Sequence, residues 1–310
     1  MARAVVARIQ GDEYQARWFW IQVCRLFEDR TKVIRVVYER ENIKSFDDVV
    51  IFYTNGMIDH YDCSPLSMDC FQVKFHVTAA GDITWKGIMD PAFINASSVS
   101  ILQRLKNAQE QYAPNGLGCR FHLYTPWHVR SNDPLAEVLS LTDGRIIWSK
   151  LADGGPRSKM GRMRAAWRDH LEITTDDELQ IILRPLRIIF GDTLERLRET
   201  LNDKLRIAGL LPVDDGSLIH PYDELTRKLL QASKAEVTCA DIEAICKQEN
   251  PHSTELRGGA CHRSAKASGG EDLQVEKPVL CGDFASFHFH TTLPGMLSAP
   301  LIGDQVVEVC

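Results

Sequence analysis

An ordered series of elements in the first 77 residues constrains the fold of this chain most. Residues 11–30 carry apolar side chains at helical spacing, and no proline or internal glycine interrupts them. The β-branched run Val33–Tyr38 predicts a strand. Residues 47–62 hold two apolar stretches around Asn55-Gly56, a dipeptide that strongly favours a tight hairpin turn. We therefore expect a helix followed by strands that pair locally.

A further strand is predicted over residues 70–77, where apolar and polar side chains alternate. Phe71 and Phe75 share one face of that strand, and Gln72 and Lys74 share the other. Alternation of this kind is typical of a strand with one face against a core. The polar pair is thus predicted to point in one direction from the sheet.

The pattern becomes mainly helical in the second half of the chain. Residues 97–112 predict a helix, 119–127 predict a buried strand, and Pro185 is expected to kink or interrupt a helical segment. From residue 128 onward, the helices are predicted over 157–171, 173–191, 192–211, 221–232 and 239–248.

These elements predict an α/β fold, a mixed sheet flanked by helices and followed by a helical region. We assign residues 1–130 to the core of the domain and 131–248 to a helical extension. Residues 249–310 are rich in Gly, Ser and His and show no helical or strand period, so we expect a disordered or poorly packed tail.

Composition excludes several classes of protein. With 44% hydrophobic and 25% charged residues, the sequence is typical of a globular protein, and it has no apolar run of membrane-spanning length. The nine cysteines are scattered without a CxxC pair and no signal peptide is visible, so we expect a cytoplasmic protein that does not enter a membrane. The net charge of −6 argues against a broadly basic DNA-binding surface but allows a local basic stripe.

Polar residues on the predicted strands suggest a phosphodiesterase site. Asp47 and Asp48 open one strand, and Gln72 and Lys74 lie on a neighbouring one, so a carboxylate, an amide and an ammonium can converge. A divalent metal ion takes oxygen ligands, and a lysine beside a phosphate offsets developing negative charge. When the Gln-x-Lys spacing is considered alone, a lysine on a solvated sheet face explains it better than a nuclease site does.

The order of these residues resembles the PD-(D/E)xK nucleases, in the branch with Gln in place of the second acid. It is most similar to the double-stranded-DNA endonuclease domain of bacterial anti-phage effectors, including those associated with CD-NTases in CBASS defence. The resemblance covers roughly residues 8–230. The matching positions are Gly11, Tyr14, Gln15, Glu39, Asp47, Asp48, Gln72, Val73 and Lys74.

This resemblance implies roles for individual residues. Asp48 would be the main metal ligand and Gln72 a second ligand for Mg²⁺ or Mn²⁺, with Lys74 as the catalytic lysine. Asp47 could replace Asp48, although the apolar run that starts directly after Asp48 favours the latter. Glu39 is expected to complete the catalytic set.

Glu13 is the alternative extra acid, although a solvated residue in the first turn of the helix explains it better. A basic stretch between residues 157 and 168 could contact DNA phosphates, with helical spacing that puts three of its arginines near one face. A solvated helix face explains this stretch as well. The candidate DNA contacts are Arg157, Lys159, Arg162, Arg164 and Arg168.

Two functions follow from these expectations. The first is a metal-dependent endonuclease that cleaves double-stranded DNA in anti-phage defence. The second is an inactive nuclease-fold scaffold or oligomerisation module. Self-association into a homo-oligomer is left open by the sequence. The chain also leaves two alternatives for its tail, a truncated second domain or a stand-alone nuclease that ends in a disordered segment.

Overall fold

The structure is a computed structural model in which most of the first 242 residues are described. Residues near the carboxyl end are described only as two short antiparallel pairs, Ser264–Lys266 with Asp272–Gln274 and Val279–Gly282 with Ala285–His288. The expected disordered tail otherwise lies outside the described residues and stays a prediction. The described residues are 2–28, 30–40, 46–75, 82–210, 212–214, 217, 220–232, 235–242, 264–266, 272–274, 279–282 and 285–288.

A six-stranded mixed sheet forms the centre of the fold and confirms the predicted α/β class. The strands lie in the spatial order β5-β4-β3-β2-β1-β6. Strands β3, β4 and β5 run parallel, whereas the pairs β3–β2, β2–β1 and β1–β6 are antiparallel. The strands are β1 (Val33–Tyr38), β2 (Val49–Tyr53), β3 (Met68–Val73), β4 (Cys119–Thr125), β5 (Leu186–Phe190) and β6 (Glu236–Val237).

Helices cover both faces of this sheet and enclose two apolar cores. One core, which includes Tyr14, Phe19 and Leu201, lies between the sheet and helices α1, α7 and α8. The other, which includes Leu105 and Trp167, lies under α2, α5 and α6. The helices are α1 (Ala2–Cys24), α2 (Ile101–Tyr112), α3 (Pro134–Val138), α4 (Trp148–Leu151), α5 (Lys159–Leu171), α6 (Asp176–Leu183), α7 (Leu194–Ala208) and α8 (Pro221–Gln231).

Local signals explain where several helices begin and end. The capping boxes at Ser100 and Thr175 satisfy free backbone donors at the starts of α2 and α6. Gly209 ends α7 in the left-handed conformation, with a φ of 73°. Helix α1 was predicted over residues 11–30. It begins before residue 11 and ends before residue 30, and it passes into a 3₁₀ turn at Arg25–Phe27.

The connection between β2 and β3 differs from the predicted tight hairpin. A turn does form at Asn55-Gly56, where Gly56 has a φ of 85°, but the chain makes a second short loop before it returns. An isolated bridge joins Ile58 to Pro65 within that loop. Antiparallel pairing of β2 with β3 is confirmed, whereas β3 ends at Val73 rather than at residue 77.

The predicted helix over residues 173–191 is wrong in its second half. Helix α6 ends at Leu183, and the residues after Pro185 form the parallel strand β5. Proline lacks a backbone donor and ends the helix, and a strand buried on both faces has a continuous apolar run that resembles a buried helix. Strand β6 was also missed. Strands from the segment assigned to the helical extension therefore join the central sheet.

Among the described residues, no helix combines the length and apolar character needed to cross a membrane.

Candidate active site

The main chain brings Asp48 between the ends of two neighbouring strands. The amide of Glu39 donates to the carbonyl of Asp48 over 3.0 Å, which extends the pairing of β1 with β2 by one step. On the other side, Val49 is paired with Phe71 of β3, so Asp48 lies opposite Gln72. Antiparallel pairing thus supplies the convergence that the sequence predicted.

The Asp48 carboxylate is held by two groups from β3. The Gln72 carboxamide donates to Oδ2 of Asp48, and the backbone amide of Val73 donates to the same oxygen over 2.6 Å. Gln72 itself is only 2% exposed. These contacts fix the carboxylate at the N-terminal end of β2.

Lys74 follows the last residue of β3 and is held by its backbone. Its amide donates to the carbonyl of Tyr124 in β4 over 2.9 Å, so the parallel pairing continues one residue beyond the strand. The partly buried Lys74 side chain lies near enough to Asp48 to lower the pKa of that carboxyl. Asp48, Gln72 and Lys74 therefore belong to one cluster.

The Asp48 carboxyl is nevertheless weakly compensated. Burial raises its pKa to about 6, and this effect exceeds the opposing influence of Lys74 and the Val73 amide. Asp47 adds a smaller repulsion that also raises the pKa of Asp48. A partly buried carboxyl of this kind attracts a cation.

The predicted acid Glu39 lies next to this cluster. It follows β1 with a positive φ of 48°, and its carboxylate accepts from Gln15 Nε2 over 3.4 Å. The same Gln15 nitrogen lies 3.5 Å from the Asp48 carbonyl oxygen, so α1 is linked to the cluster through that side chain. Burial, followed by Asp12 and Asp47, raises the pKa of Glu39.

Glu13 and Asp47 are placed less directly. Glu13 forms an ion pair of 3.5 Å with Arg17 one helical turn later, an arrangement that fits its structural interpretation. The backbone carbonyl of Asp47 accepts from the Arg40 amide over 2.9 Å, and the charge of its side chain raises the pKa of Asp48. The contacts favour Asp48 over Asp47 as the central carboxylate.

Arg104 of α2 is a member of this region that the sequence did not reveal. Its Nη1 lies 3.5 Å from Oε1 of Gln72, which places a guanidinium beside the amide that contacts Asp48. Helix α2 begins nearly 30 residues after β3, so only the packing of that helix brings Arg104 here. No spacing rule within the sequence would have identified it.

A divalent cation is compatible with the donors of this cluster. The described residues contain no group of three or more His, Cys, Asp or Glu side chains placed to hold a metal ion. Mg²⁺, however, is commonly held by one or two carboxylates, with water and substrate phosphates completing its coordination. Asp48 supplies a carboxylate, and rotation of the Gln72 carboxamide by half a turn would offer Oε1 beside it.

The predicted DNA contacts divide into buried and exposed residues. Arg164 is 7% exposed, pairs with Asp176 over 2.9 Å and donates to the Gly154 carbonyl over 3.1 Å. Arg168 pairs with the same Asp176 over 3.1 Å. Arg164 thus joins the α5–α6 packing and is not presented to solvent.

The remaining basic residues of this stretch lie nearer the surface. Arg157 precedes α5 and does not share a helical face with the later arginines, because the helix begins at Lys159 after the N-cap Ser158. Lys159 is paired with Glu137. Arg157 and Arg162 are exposed and remain the accessible candidates.

Comparison with known proteins identifies a relative that matches most of this chain. The chain is 38% identical over 253 residues to CD-NTase-associated protein 4 of Enterobacter hormaechei subsp. hoffmannii (strain UCI 50). The match covers 81% of this chain and 50% of the relative, so the chain spans about half the length of that protein. No protein-family profile matches the chain.

Proposed function

We propose that this relative of CD-NTase-associated protein 4 is a Mg²⁺-dependent endonuclease that hydrolyses double-stranded DNA in anti-phage defence. The convergence of Asp48, Gln72 and Lys74 at one end of the central sheet carries the proposal. The similarity to a CD-NTase-associated protein supports the proposed role in defence. Mn²⁺ is expected to replace Mg²⁺, since both prefer oxygen ligands.

The Asp48 carboxylate is suited to the first task, which is to hold the cation. Its Oδ2 is oriented by the Val73 amide, and its raised pKa indicates that a positive charge nearby would be stabilised. Gln72 would contribute a neutral oxygen without adding further repulsion among acids. A bound Mg²⁺ would polarise the phosphate and lower the pKa of the attacking water.

Lys74 is suited to the second task, which is to stabilise the charge that develops on the phosphate. Its backbone is fixed against β4, so the ammonium is presented from a rigid element. Glu39 lies at the adjacent strand end, where a raised pKa favours a role in accepting or holding a proton. Arg157 and Arg162 are the exposed residues proposed to contact the DNA backbone.

Cleavage of supercoiled plasmid DNA tests the proposal. We expect nicking and linearisation with Mg²⁺, loss of cleavage with EDTA, and a decrease of at least about a thousandfold in Lys74→Ala. Lys106→Ala is the matched control, because Lys106 lies on α2 and donates to the Leu171 carbonyl instead. It should cleave like the wild type.

Two outcomes would contradict the proposal. Cleavage that persists in Lys74→Ala would mean that the active site lies elsewhere. A wild-type protein that never cleaves DNA, even when crosslinked into oligomers, would favour the alternative of an inactive nuclease-fold scaffold. Isothermal titration with Mn²⁺ distinguishes these cases. A scaffold has no need to bind a metal ion, whereas an enzyme with its site at Asp48 should bind Mn²⁺ and lose that binding in Asp48→Asn.

A further inference from the structure

Two arginines lie against one phenylalanine on the face of the sheet that carries Asp48. The guanidinium carbon of Arg35 in β1 is 3.8 Å from the centre of the Phe52 ring, and that of Arg40 is 4.7 Å from it. Phe52 lies in β2, four positions after Asp48, and side chains an even number of positions apart along a strand share a face. The Arg35–Phe52–Arg40 cluster and the Asp48 carboxylate therefore lie on the same face.

The charge of Arg40 also reaches the neighbouring strand β3 on this face. Burial raises the pKa of the Cys70 thiol, and the charge of Arg40 opposes that rise. Cys70 precedes Gln72 by two positions in β3, so both side chains point to the same side. Arg104 contacts Gln72 from α2. Guanidinium groups thus approach the candidate active site from β1 on one side and from α2 on the other.

Arg40 lacks the counter-charge that Arg35 has. Arg35 pairs with Glu236 over 3.0 Å. Within the described part of the chain, Arg40 pairs with no carboxylate, and its Nη1 is enclosed without a hydrogen-bond partner. Its other two guanidinium nitrogens also form no hydrogen bond with the described residues, but they are not enclosed and so reach the surface. A partly buried cation without a partner is costly, so an anion supplied from outside would be stabilised there.

The distance between this cluster and Asp48 fits the spacing of phosphates in DNA. A strand rises by about 3.4 Å per residue, so Phe52 lies roughly 14 Å from Asp48 along β2. One strand of a DNA duplex carries a phosphate about every 3.4 Å along the helix axis. A duplex laid along β2 with its scissile phosphate at Asp48 would therefore bring a phosphate about four nucleotides away to the Phe52 ring.

We propose that Arg35 and Arg40 bind backbone phosphates of double-stranded DNA, on the β1 side of the scissile phosphate. This inference rests on the proposed endonuclease function. Guanidinium groups present a planar fork of donors that matches phosphate oxygens, and the Phe52 ring orients both guanidiniums. Contacts of this kind position the duplex without reading its sequence.

Fluorescence anisotropy of a labelled duplex tests the proposal with the full chain. The titrations are made in EDTA, so that no DNA is cleaved, and at a series of NaCl concentrations. Loss of one phosphate contact should reduce the slope of log Kd against log salt by about 0.9 and raise the Kd about five- to tenfold near 0.1 M salt. We expect this result for Arg40→Gln, to the same extent on duplexes of different sequence.

Arg196→Gln is the matched control, because it removes the same charge on the other side of the molecule. Arg196 lies on α7, which packs against the opposite face of the sheet, and its side chain is 70% exposed. It should keep the wild-type slope and Kd. Arg40→Lys retains the charge and should also keep the slope, since counterion release depends on charge.

The outcomes separate this proposal from the endonuclease function. A wild-type slope and Kd in a folded Arg40→Gln would overturn the phosphate contact and leave DNA binding intact. If Arg40→Gln does not melt as a single cooperative transition, Arg35→Gln decides, with the same decrease in slope expected. Binding that depends on Arg40 without any cleavage in Mg²⁺ would support the contact and contradict only the endonuclease function. A wild-type protein that binds no duplex would overturn both.

Discussion

Two aspartates at neighbouring strands of the sheet have pKa values shifted in opposite directions. Asp69 on β3 receives two hydrogen bonds from Arg120, over 2.6 and 2.7 Å, and one of 2.5 Å from the Tyr53 hydroxyl. Within the described part of the chain, Asp48, just before β2, receives hydrogen bonds only from an uncharged amide side chain and a backbone amide. The negative charge of Asp69 is therefore compensated by its neighbours, whereas that of Asp48 is not.

The pKa directions express this difference. Burial opposes ionisation of Asp69, but His122 and Arg120 hold its pKa well below the usual range. Burial raises the pKa of Asp48 to about 6 because Lys74 and the amides do not offset it. A compensated buried charge stabilises a fold, whereas an uncompensated one at a strand end is available for a cation.

The largest effect should be on stability and should separate the two aspartates. Asp69→Asn removes a buried charge that pairs with the partly buried Arg120, so we expect a loss of about 3–5 kcal/mol in the free energy of unfolding. Asp48→Asn removes a poorly compensated charge and should leave stability unchanged or slightly raised. Urea denaturation measures both. An equal loss of unfolding free energy in Asp48→Asn would mean that Asp48 stabilises the fold in the same way as Asp69.

The pH dependence of stability should also have opposite signs. Asp48 binds its proton more tightly in the folded state, so its contribution is greatest below about pH 4 and falls as pH rises through about 6. We expect a loss on the order of 2 kcal/mol over this range without metal. Asp69 has a lowered pKa, so its contribution is present above about pH 4 and is lost as pH falls.

Unfolding curves of the wild type and of Asp48→Asn isolate the first contribution. Asp223 has a raised pKa of about 6 as well and decreases stability over the same pH range in both proteins. The difference between the two curves therefore reports Asp48 alone. A difference that does not change between about pH 4 and pH 7 would contradict the weak compensation of Asp48.

Local patterns predicted the elements near Asp48 but not the network around Asp69. The helix, the β-branched strand and the alternation around Gln72 follow from periods of 3.6 and 2, so the convergence of Asp48 and Gln72 could be predicted. Asp69 depends on Arg120, which lies 51 positions away and reaches it only through parallel pairing of β3 with β4. Strand β5 could not be distinguished from a buried helix by its apolar run.

The smallest expected effect concerns the two arginines near these aspartates, Arg120 beside Asp69 and Arg104 beside Gln72. Arg120 contacts Asp69 through two nitrogens, whereas Arg104 makes one 3.5 Å contact with Gln72. A weakly held guanidinium costs little to remove, so Arg104→Ala should change stability by less than about 0.5 kcal/mol. It should nevertheless lower DNA cleavage about tenfold, since a cation beside the proposed phosphate position offsets developing charge.

Initial rates of plasmid cleavage measure this effect, and Lys106→Ala on the same helix again serves as the control. Arg104→Lys should recover part of the lost activity, because it restores the charge without the planar geometry of the guanidinium. If Arg104→Ala instead destabilises the fold as Asp69→Asn does, Arg104 supports the packing of α2 and plays no part in the proposed chemistry. Unchanged cleavage with unchanged stability would also remove it from the site and leave Lys74 as the principal cation beside Asp48.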